Sequence, residues 1–117
     1  MRLLFVAAAI LALPSAALAH AMLEHAMPPV GSSQSAAPRE VVLSFTEALE
    51  PAFSTIEVRS ESGAVVSSGK AQVDPKQRTQ SRVPLKPLAP GTYKVIWRVL
   101  SVDTHRTQGE FTFKVGP

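Results

Sequence analysis

The chain has 117 residues, with 12 basic and 9 acidic side chains and a formal net charge of +3 at pH 7. It contains no cysteine, which excludes disulfides, thiolate metal sites and thiol catalysis. The basic residues are scattered along the chain, so the sequence gives little support to nucleic-acid binding.

Residues 1–19 have the three regions of a secretory signal peptide. Arg2 supplies the positive start, and residues 3–13 form an unbroken apolar run. Ala17 and Ala19 then give the small-x-small pattern after which signal peptidase cleaves. The apolar run is about half of the ~20 residues that a membrane-spanning helix needs. We therefore predict export and cleavage after Ala19.

Cleavage at that position leaves residues 20–117 as a single domain that begins with His20. This mature chain has no further stretch that is long and apolar enough to insert into a membrane. A terminal histidine carries a free α-amine and an imidazole on one residue. These two nitrogens can close a chelate ring on one metal ion.

The mature chain is predicted to fold from about seven short strands. Residues 20–40 are rich in turn-forming residues and predict an extended leader, with an edge strand near 22–24, followed by a loop. The remaining predicted strands are 40–45, 56–59, 65–68, 78–85, 92–100 and 109–115. Between them we expect a loop or helical turn at 46–54, turns at 61–63 and 74–75, and a polar connection at 101–108.

The alternation of apolar and polar residues is clearest in the last two predicted strands. Short strands at close spacing, without a convincing amphipathic helix, indicate an all-β fold. We predict an immunoglobulin-like antiparallel β-sandwich of Greek-key type without a disulfide. In place of a disulfide, Trp97 is expected to pack against Phe111 and Phe113.

Asp103 and His105 follow the longest predicted strand and are two residues apart. In an extended chain this spacing puts both side chains on one face. If the leader folds beside them, His20, Asp103 and His105 supply three nitrogens and one oxygen, a donor set that suits Cu(II). An Asp in a strand connection is also typical of ordinary turns, and the spacing alone does not decide between the two interpretations.

Several longer segments resemble the CopC family of periplasmic copper-resistance proteins. The resemblance covers nearly all of the mature chain and is most specific in the last third. The matching segments are HAML at 20–23, PPVG at 28–31, LSFTE at 43–47, AFS at 52–54, GTYKVIWRVLSVDTH at 91–105 and GEFTF at 109–113.

This resemblance implies an immunoglobulin-like β-sandwich that binds one Cu(II) ion per chain. The implied ligands are the amine and imidazole of His20 together with Asp103 and His105, and Glu47 is expected to be a weak or outer ligand at most. Some members also hold Cu(I) in a methionine-rich loop, which this sequence lacks. His25 and Met27 are expected to be exposed leader residues.

Two arginines, Arg98 and Arg106, flank the implied site. One of them could orient Asp103 through a bidentate hydrogen bond, or both could be solvated surface residues. The sequence does not distinguish these roles.

The predicted function is periplasmic Cu(II) binding for copper resistance or homeostasis, by a monomer. The family resemblance implies exchange of copper with a CopD-type inner-membrane protein. We predict that the chain is not an enzyme, because no nucleophile triad, phosphate loop or pair of catalytic carboxylates stands out. The alternatives are a copper-dependent oxidative enzyme with an N-terminal histidine brace and a metal-free interaction module.

Overall fold

A computed structural model of the chain describes residues 21–117, so the predicted signal peptide, residues 1–19, and His20 lie outside the described residues. The described part consists mainly of strands, with one short 3-10 helix at Pro51–Phe53. The strands are β1 (Leu23–Met27), β2 (Ser33–Gln34), β3 (Glu40–Phe45), β4 (Thr55–Ser60), β5 (Gln72–Val73), β6 (Gln80–Pro84), β7 (Gly91–Leu100) and β8 (Arg106–Val115). No helix within residues 21–117 is long and apolar enough to cross a bilayer.

The strands form two four-stranded sheets, in the orders β1-β3-β6-β5 and β2-β8-β7-β4. Paired strands run antiparallel, except that the edge strand β2 pairs in parallel with β8. The predicted all-β sandwich is confirmed. It has eight strands in the described part of the chain rather than the expected seven or so, because the two-residue strands β2 and β5 are too short to leave a sequence pattern.

One predicted strand is wrong, and the hydrogen bonds give the reason. Residues 65–68 form only isolated bridges. The amide of Val66 donates to the carbonyl of Val58 in β4, whereas the amide of Ser68 donates to that of Pro84 in β6. The segment therefore passes from β4, at the edge of one sheet, to the end of β6 in the other and cannot pair continuously with either.

Other bounds also differ from the prediction. β3 has the predicted limits, but β1 extends to Met27 and β8 begins at Arg106, three residues before the predicted start. The first residues of β8 are polar because their outer face meets solvent, and they pair with the end of β7 up to Leu100. The polar connection is consequently only residues 101–105.

The core lies between the two sheets and contains the residues that the alternation predicted. Buried apolar side chains of the two longest strands are Tyr93, Val95, Trp97, Val99, Phe111, Phe113 and Val115. They meet Val41, Leu43, Phe45 and Val83 of the facing sheet.

The surroundings of Trp97 differ from the expected packing against two phenylalanines. Its ring meets Phe45 of the facing sheet edge-on, with centroids 5.2 Å apart and planes at 71°. Phe113 stacks on Tyr93 instead, at 5.6 Å. The cross-strand partner of Trp97 is Gly109, and the indole covers the space that a side chain there would occupy. Trp97 thus joins the two sheets.

Candidate metal centre

The loop between β7 and β8, residues 101–105, is a tight turn rather than the extended segment that the sequence predicted. The amide of Thr104 donates to the carbonyl of Ser101 at 2.9 Å, and the amide of Ser101 donates to that of His105 at 3.0 Å. Thr104 has φ of +73°, in the left-handed region that β-branched residues rarely adopt. The extended-chain reason for expecting Asp103 and His105 on one face is therefore wrong.

The turn nevertheless brings the two predicted side chains together. Oδ2 of Asp103 lies 3.2 Å from Nδ1 of His105, and the two side chains are 39% and 34% exposed. Two donors that each lie about 2.0–2.2 Å from one ion, at a right angle, are about 2.8–3.1 Å apart. The pair thus has nearly the separation of adjacent metal ligands. Both side chains are partly exposed, although the Nδ1 atom of His105 is itself buried.

Ser101 fixes the positions of Asp103 and His105 through hydrogen bonds. The sequence analysis did not identify this residue. Its hydroxyl donates to Oδ1 of Asp103 and accepts from the amide of His105 at 3.3 Å. Ser101 is completely buried, and it continues the buried face of β7 at two-residue spacing. A hydroxyl at a core position next to candidate ligands was the signal that the sequence offered.

The hydrogen bond from Ser101 is also the main reason why the pKa of Asp103 lies below its usual value. Desolvation opposes this effect, while the hydrogen bond and charge of His105 add to it. A lowered carboxyl pKa keeps Asp103 ionised at neutral pH, which is the state that binds a cation.

Neither flanking arginine orients Asp103. Within residues 21–117, the ion pair of Asp103 is with His105, and neither Arg98 nor Arg106 lies within 4.0 Å of a carboxylate oxygen. Both arginines are exposed. The orienting role that an arginine could have had belongs to Ser101.

The start of the described chain is anchored next to this loop. Ala21 is completely buried, and its carbonyl accepts a 2.7 Å hydrogen bond from Oγ1 of Thr107, near the start of β8. Met22 exchanges two hydrogen bonds with Thr46, its amide donating to Oγ1 and its carbonyl accepting from the Thr46 amide, both at 2.9 Å. These contacts fix the direction from which the chain enters the sandwich.

Glu47 is half-buried and adjoins Ala48, whose carbonyl accepts a 3.0 Å hydrogen bond from the amide of Val102. Glu47 therefore lies on the segment that borders the loop of residues 101–105. Among residues 21–117, no three His, Asp or Glu side chains form a group that could hold a metal ion. Asp103 and His105 are thus a pair of candidate donors, and the third predicted ligand, His20, lies outside the described residues.

The other candidate donors lie on β1. His25 is exposed opposite Ser44, and Met27 is 61% exposed at the end of the strand. Their expected exposure is confirmed.

Comparison with known proteins gives a consistent result. The CopC domain family matches residues 23–116. The chain is 38% identical over 98 residues to Protein YobA of Escherichia coli K12, covering 83% of this chain and 79% of that protein. It is 37% identical over 106 residues to copper resistance protein C of Escherichia coli, covering 85% and 83%. The crystal structure of CopC from Methylosinus trichosporium OB3b superposes with a TM-score of 0.79 at 33% identity, covering 84% and 95%.

Proposed function

The chain belongs to the CopC family of copper-binding proteins, and we propose that it is exported to the periplasm, where it holds one Cu(II) ion. Residues 1–19 are the proposed signal peptide, and residues 20–117 are the mature copper-binding domain. The protein buffers copper or carries it to or from an inner-membrane partner.

The observation that supports this proposal most directly is the position of Ala21. Its carbonyl is bonded to Thr107, which is two residues from His105. Because consecutive Cα atoms are about 3.8 Å apart, the Cα of His20 can be no farther than that from the Cα of Ala21. The anchoring of Ala21 to Thr107 supports the proposal that the amine and imidazole of His20 act together with Asp103 and His105.

The proposed ligand set consists of the amine and an imidazole nitrogen of His20, an imidazole nitrogen of His105 and a carboxylate oxygen of Asp103. Nitrogen and oxygen donors in a tetragonal arrangement are typical of Cu(II), and copper has the highest affinity of the divalent first-row metals. Glu47, on the neighbouring segment, is at most a weak or outer ligand.

The choice of Cu(II) over Cu(I) rests on the methionines. Cu(I) selects soft thioether ligands. Met22 and Met27 are the only methionines of the mature chain, and they lie at the two ends of β1 with 59% and 61% exposure. Two separated thioethers do not complete a Cu(I) coordination shell, so we propose a single Cu(II) site.

A carrier role fits the proposed coordination better than oxidative catalysis. When Asp103 occupies the fourth equatorial position, no such position is open for oxygen. The exposure of the Asp103 and His105 side chains leaves them accessible to a partner that exchanges copper. The partner implied by the family resemblance is a CopD-type inner-membrane protein.

The proposal is tested on the exported protein, after its N-terminal residue has been determined. Titration with Cu(II), followed by electron paramagnetic resonance, should show one equivalent bound with a nitrogen-rich tetragonal spectrum. His105→Ala should lose or change that spectrum. His25→Ala, which removes an exposed histidine of β1, is the matched control and should leave it unchanged. A mature chain that begins elsewhere than at His20, or an unaltered spectrum in His105→Ala, would contradict the proposal.

A further inference from the structure

A surface next to the β7–β8 loop carries two arginines that form no ion pair within the described residues. We define the arginine–phenylalanine surface as Phe53, Arg98, Arg106 and Gln108, the cross-strand partner of Arg98. These residues line a groove of about 360 Å³, together with Val99 and Thr107. Arg106 directly follows His105 in the chain, so the groove begins one residue from a candidate metal ligand, although neither Asp103 nor His105 lines it.

The two arginines lie on the same face of the sheet. Arg98 pairs with Gln108 and Leu100 pairs with Arg106, so Arg98 and Arg106 are diagonal neighbours on adjacent strands. Such neighbours have Cα atoms roughly 7–8 Å apart. The carboxylates nearest in sequence, Asp103 and Glu110, pair with His105 and Lys94 instead. Glu57 and Glu110 are diagonal neighbours of Arg98 on the same face, but each forms its ion pair with another basic residue, Arg59 or Lys94. Neither Arg98 nor Arg106 forms an ion pair within the described residues.

Phe53 adds an apolar element that is held in an exposed position. Its side chain is 59% exposed, although large aromatic side chains are normally well buried. The backbone around it is fixed, because the amide of Phe53 donates to the carbonyl of Glu50, and the amide of Glu50 donates to that of Leu100 in β7. The backbone that carries the exposed ring is therefore fixed relative to β7.

We infer that the arginine–phenylalanine surface is the docking site for an acidic segment of the protein that exchanges metal with this chain. Arginine and aromatic residues are enriched at the centres of protein interfaces. Two unpaired guanidinium groups complement Asp or Glu side chains, while Phe53 supplies apolar contact area. The inference rests on the proposed function for the partner's role, but the surface itself is defined without metal.

Binding to an anionic membrane surface fits less well, because it typically uses clusters of about 4–8 basic residues, and only two arginines line this groove. A second copy of this chain also carries exposed carboxylates outside the described ion pairs, such as Glu24 and Glu61. Self-association is therefore an outcome that the test has to distinguish.

The test uses the copper-free mature protein, so that its outcome does not depend on whether the chain binds Cu(II). The probes are a capped synthetic peptide of alternating Glu and Leu and its counterpart with Lys in place of Glu. In an NMR titration at low salt, the Glu peptide should shift the amide signals of residues 53, 98 and 106–108 saturably. The Lys peptide should not, and added salt should weaken the binding.

The double variant Arg98→Gln, Arg106→Gln should weaken binding of the Glu peptide about tenfold or more, equivalent to about 1.4 kcal/mol. Phe53→Ala should also weaken it. The matched control is Arg59→Gln with Lys94→Gln, which removes two basic residues from the same sheet that are already paired. The control should bind the Glu peptide like the unchanged protein. Both double variants should bind Cu(II) with the affinity of the unchanged protein.

The inference is overturned if neither peptide shifts the named signals, if the Lys peptide binds equally well, or if the control loses as much affinity as the Arg98, Arg106 variant. Concentration-dependent dimerisation through these residues, or binding to anionic lipid vesicles that the Arg98, Arg106 variant abolishes, would identify a different occupant and would also overturn it. Absence of Cu(II) binding in the unchanged protein would refute only the proposed function.

Discussion

Ser101 connects the core of the sandwich to the two candidate metal ligands, Asp103 and His105. Its side chain is a buried hydroxyl in line with the apolar residues of β7, and its hydrogen bonds go to the carboxylate of Asp103 and the amide of His105. Replacing a partner that orients a metal ligand typically costs about 10–100-fold in affinity. Ser101 is therefore a positioning residue whose loss should affect metal binding.

We expect Ser101→Ala to weaken Cu(II) binding by about tenfold and to alter the paramagnetic resonance spectrum, because Asp103 loses its fixed orientation. Ser101→Thr keeps the hydroxyl and should restore part of the affinity. Ser67→Ala is the matched control, since Ser67 is also buried and accepts a hydrogen bond from the amide of Val58, away from the loop. Equal losses in Ser101→Ala and Ser67→Ala, or none in either, would disprove the positioning role.

The conformation of Thr104 leads to a prediction about folding stability. A β-branched residue in the left-handed region is strained by about 1–3 kcal/mol, and Thr104 has φ of +73°. Thr104→Gly removes this strain at some cost in chain entropy, so the free energy of unfolding should rise by about 1 kcal/mol in urea denaturation.

The converse substitution is the control for Thr104→Gly. Gly63 has φ of +86° with open space around it, so Gly63→Ala should lower the free energy of unfolding by about 1 kcal/mol. If Thr104→Gly lowers the free energy of unfolding as much as Gly63→Ala does, the conclusion that the backbone of Thr104 is strained would be wrong.

At the scale of elements, the hairpin of β7 and β8 determines the site, because it carries both Asp103 and His105. Its two strands are the longest of those described, with ten residues each. Trp97 in β7 fits over Gly109 in β8 and reaches Phe45 in the other sheet. The hairpin is thereby fixed relative to β3, which leads to the segment that contains Glu47.

We predict that Gly109→Ala destabilises the protein by about 1–3 kcal/mol, the usual cost of overpacking. A Cβ at position 109 would lie 2.5 Å from Cζ2 of Trp97, and the indole cannot move away without disturbing its contact with Phe45. Gly116→Ala is the matched control, because a Cβ there meets its nearest atom at an ordinary 3.6 Å. Urea denaturation measures both, and equal stabilities would contradict the packing described for Trp97.

Strands with a regular alternation could be predicted from the sequence, and tertiary hydrogen bonding explains most of the failures. Burial of every second residue from Tyr93 to Val99 is a local pattern and was predicted correctly. Residues 65–68, Val-Val-Ser-Ser, were predicted to form a strand without such an alternation, and their backbone bonds go to both sheets, which no local pattern reveals. β2 and β5 exist only because neighbouring strands pair with them.

The candidate site was predicted in part. The spacing of Asp103 and His105 correctly indicated that the side chains converge, although the reason is a turn at Thr104 and not an extended chain. The bond between Ala21 and Thr107 joins residues 86 apart in sequence and could not be predicted from either segment alone. That His20 is a ligand remains a prediction.

For the whole molecule, the proposed coordination requires the N-terminus of the mature chain and the β7–β8 loop to meet at one ion, and this makes binding depend on pH. A free α-amine has a pKa of about 7.7–8.0 and must lose its proton to bind metal. Below that range each unit of pH should therefore lower the apparent Cu(II) affinity by about tenfold or more, because imidazole ligands must also be neutral to bind. The lowered pKa of Asp103 keeps its carboxylate charged throughout the neutral range, so it does not add to this dependence.

Competition titrations between pH 6 and pH 8 measure this dependence. Unfolding temperatures over the same range serve as the control and should stay nearly constant. An affinity that does not change with pH would show that the α-amine is not a ligand.

The most direct measurement compares the Cu(II) affinity of two forms of the mature protein, one beginning at His20 and one that retains Ala19 in front of it. The extension converts the amine of His20 into an amide and leaves the residues of the sandwich unchanged. We predict that the extended form binds Cu(II) roughly 100-fold or more weakly, equivalent to about 2.7 kcal/mol. The two forms should have equal unfolding temperatures in the absence of copper. Equal affinities of the two forms would contradict this prediction.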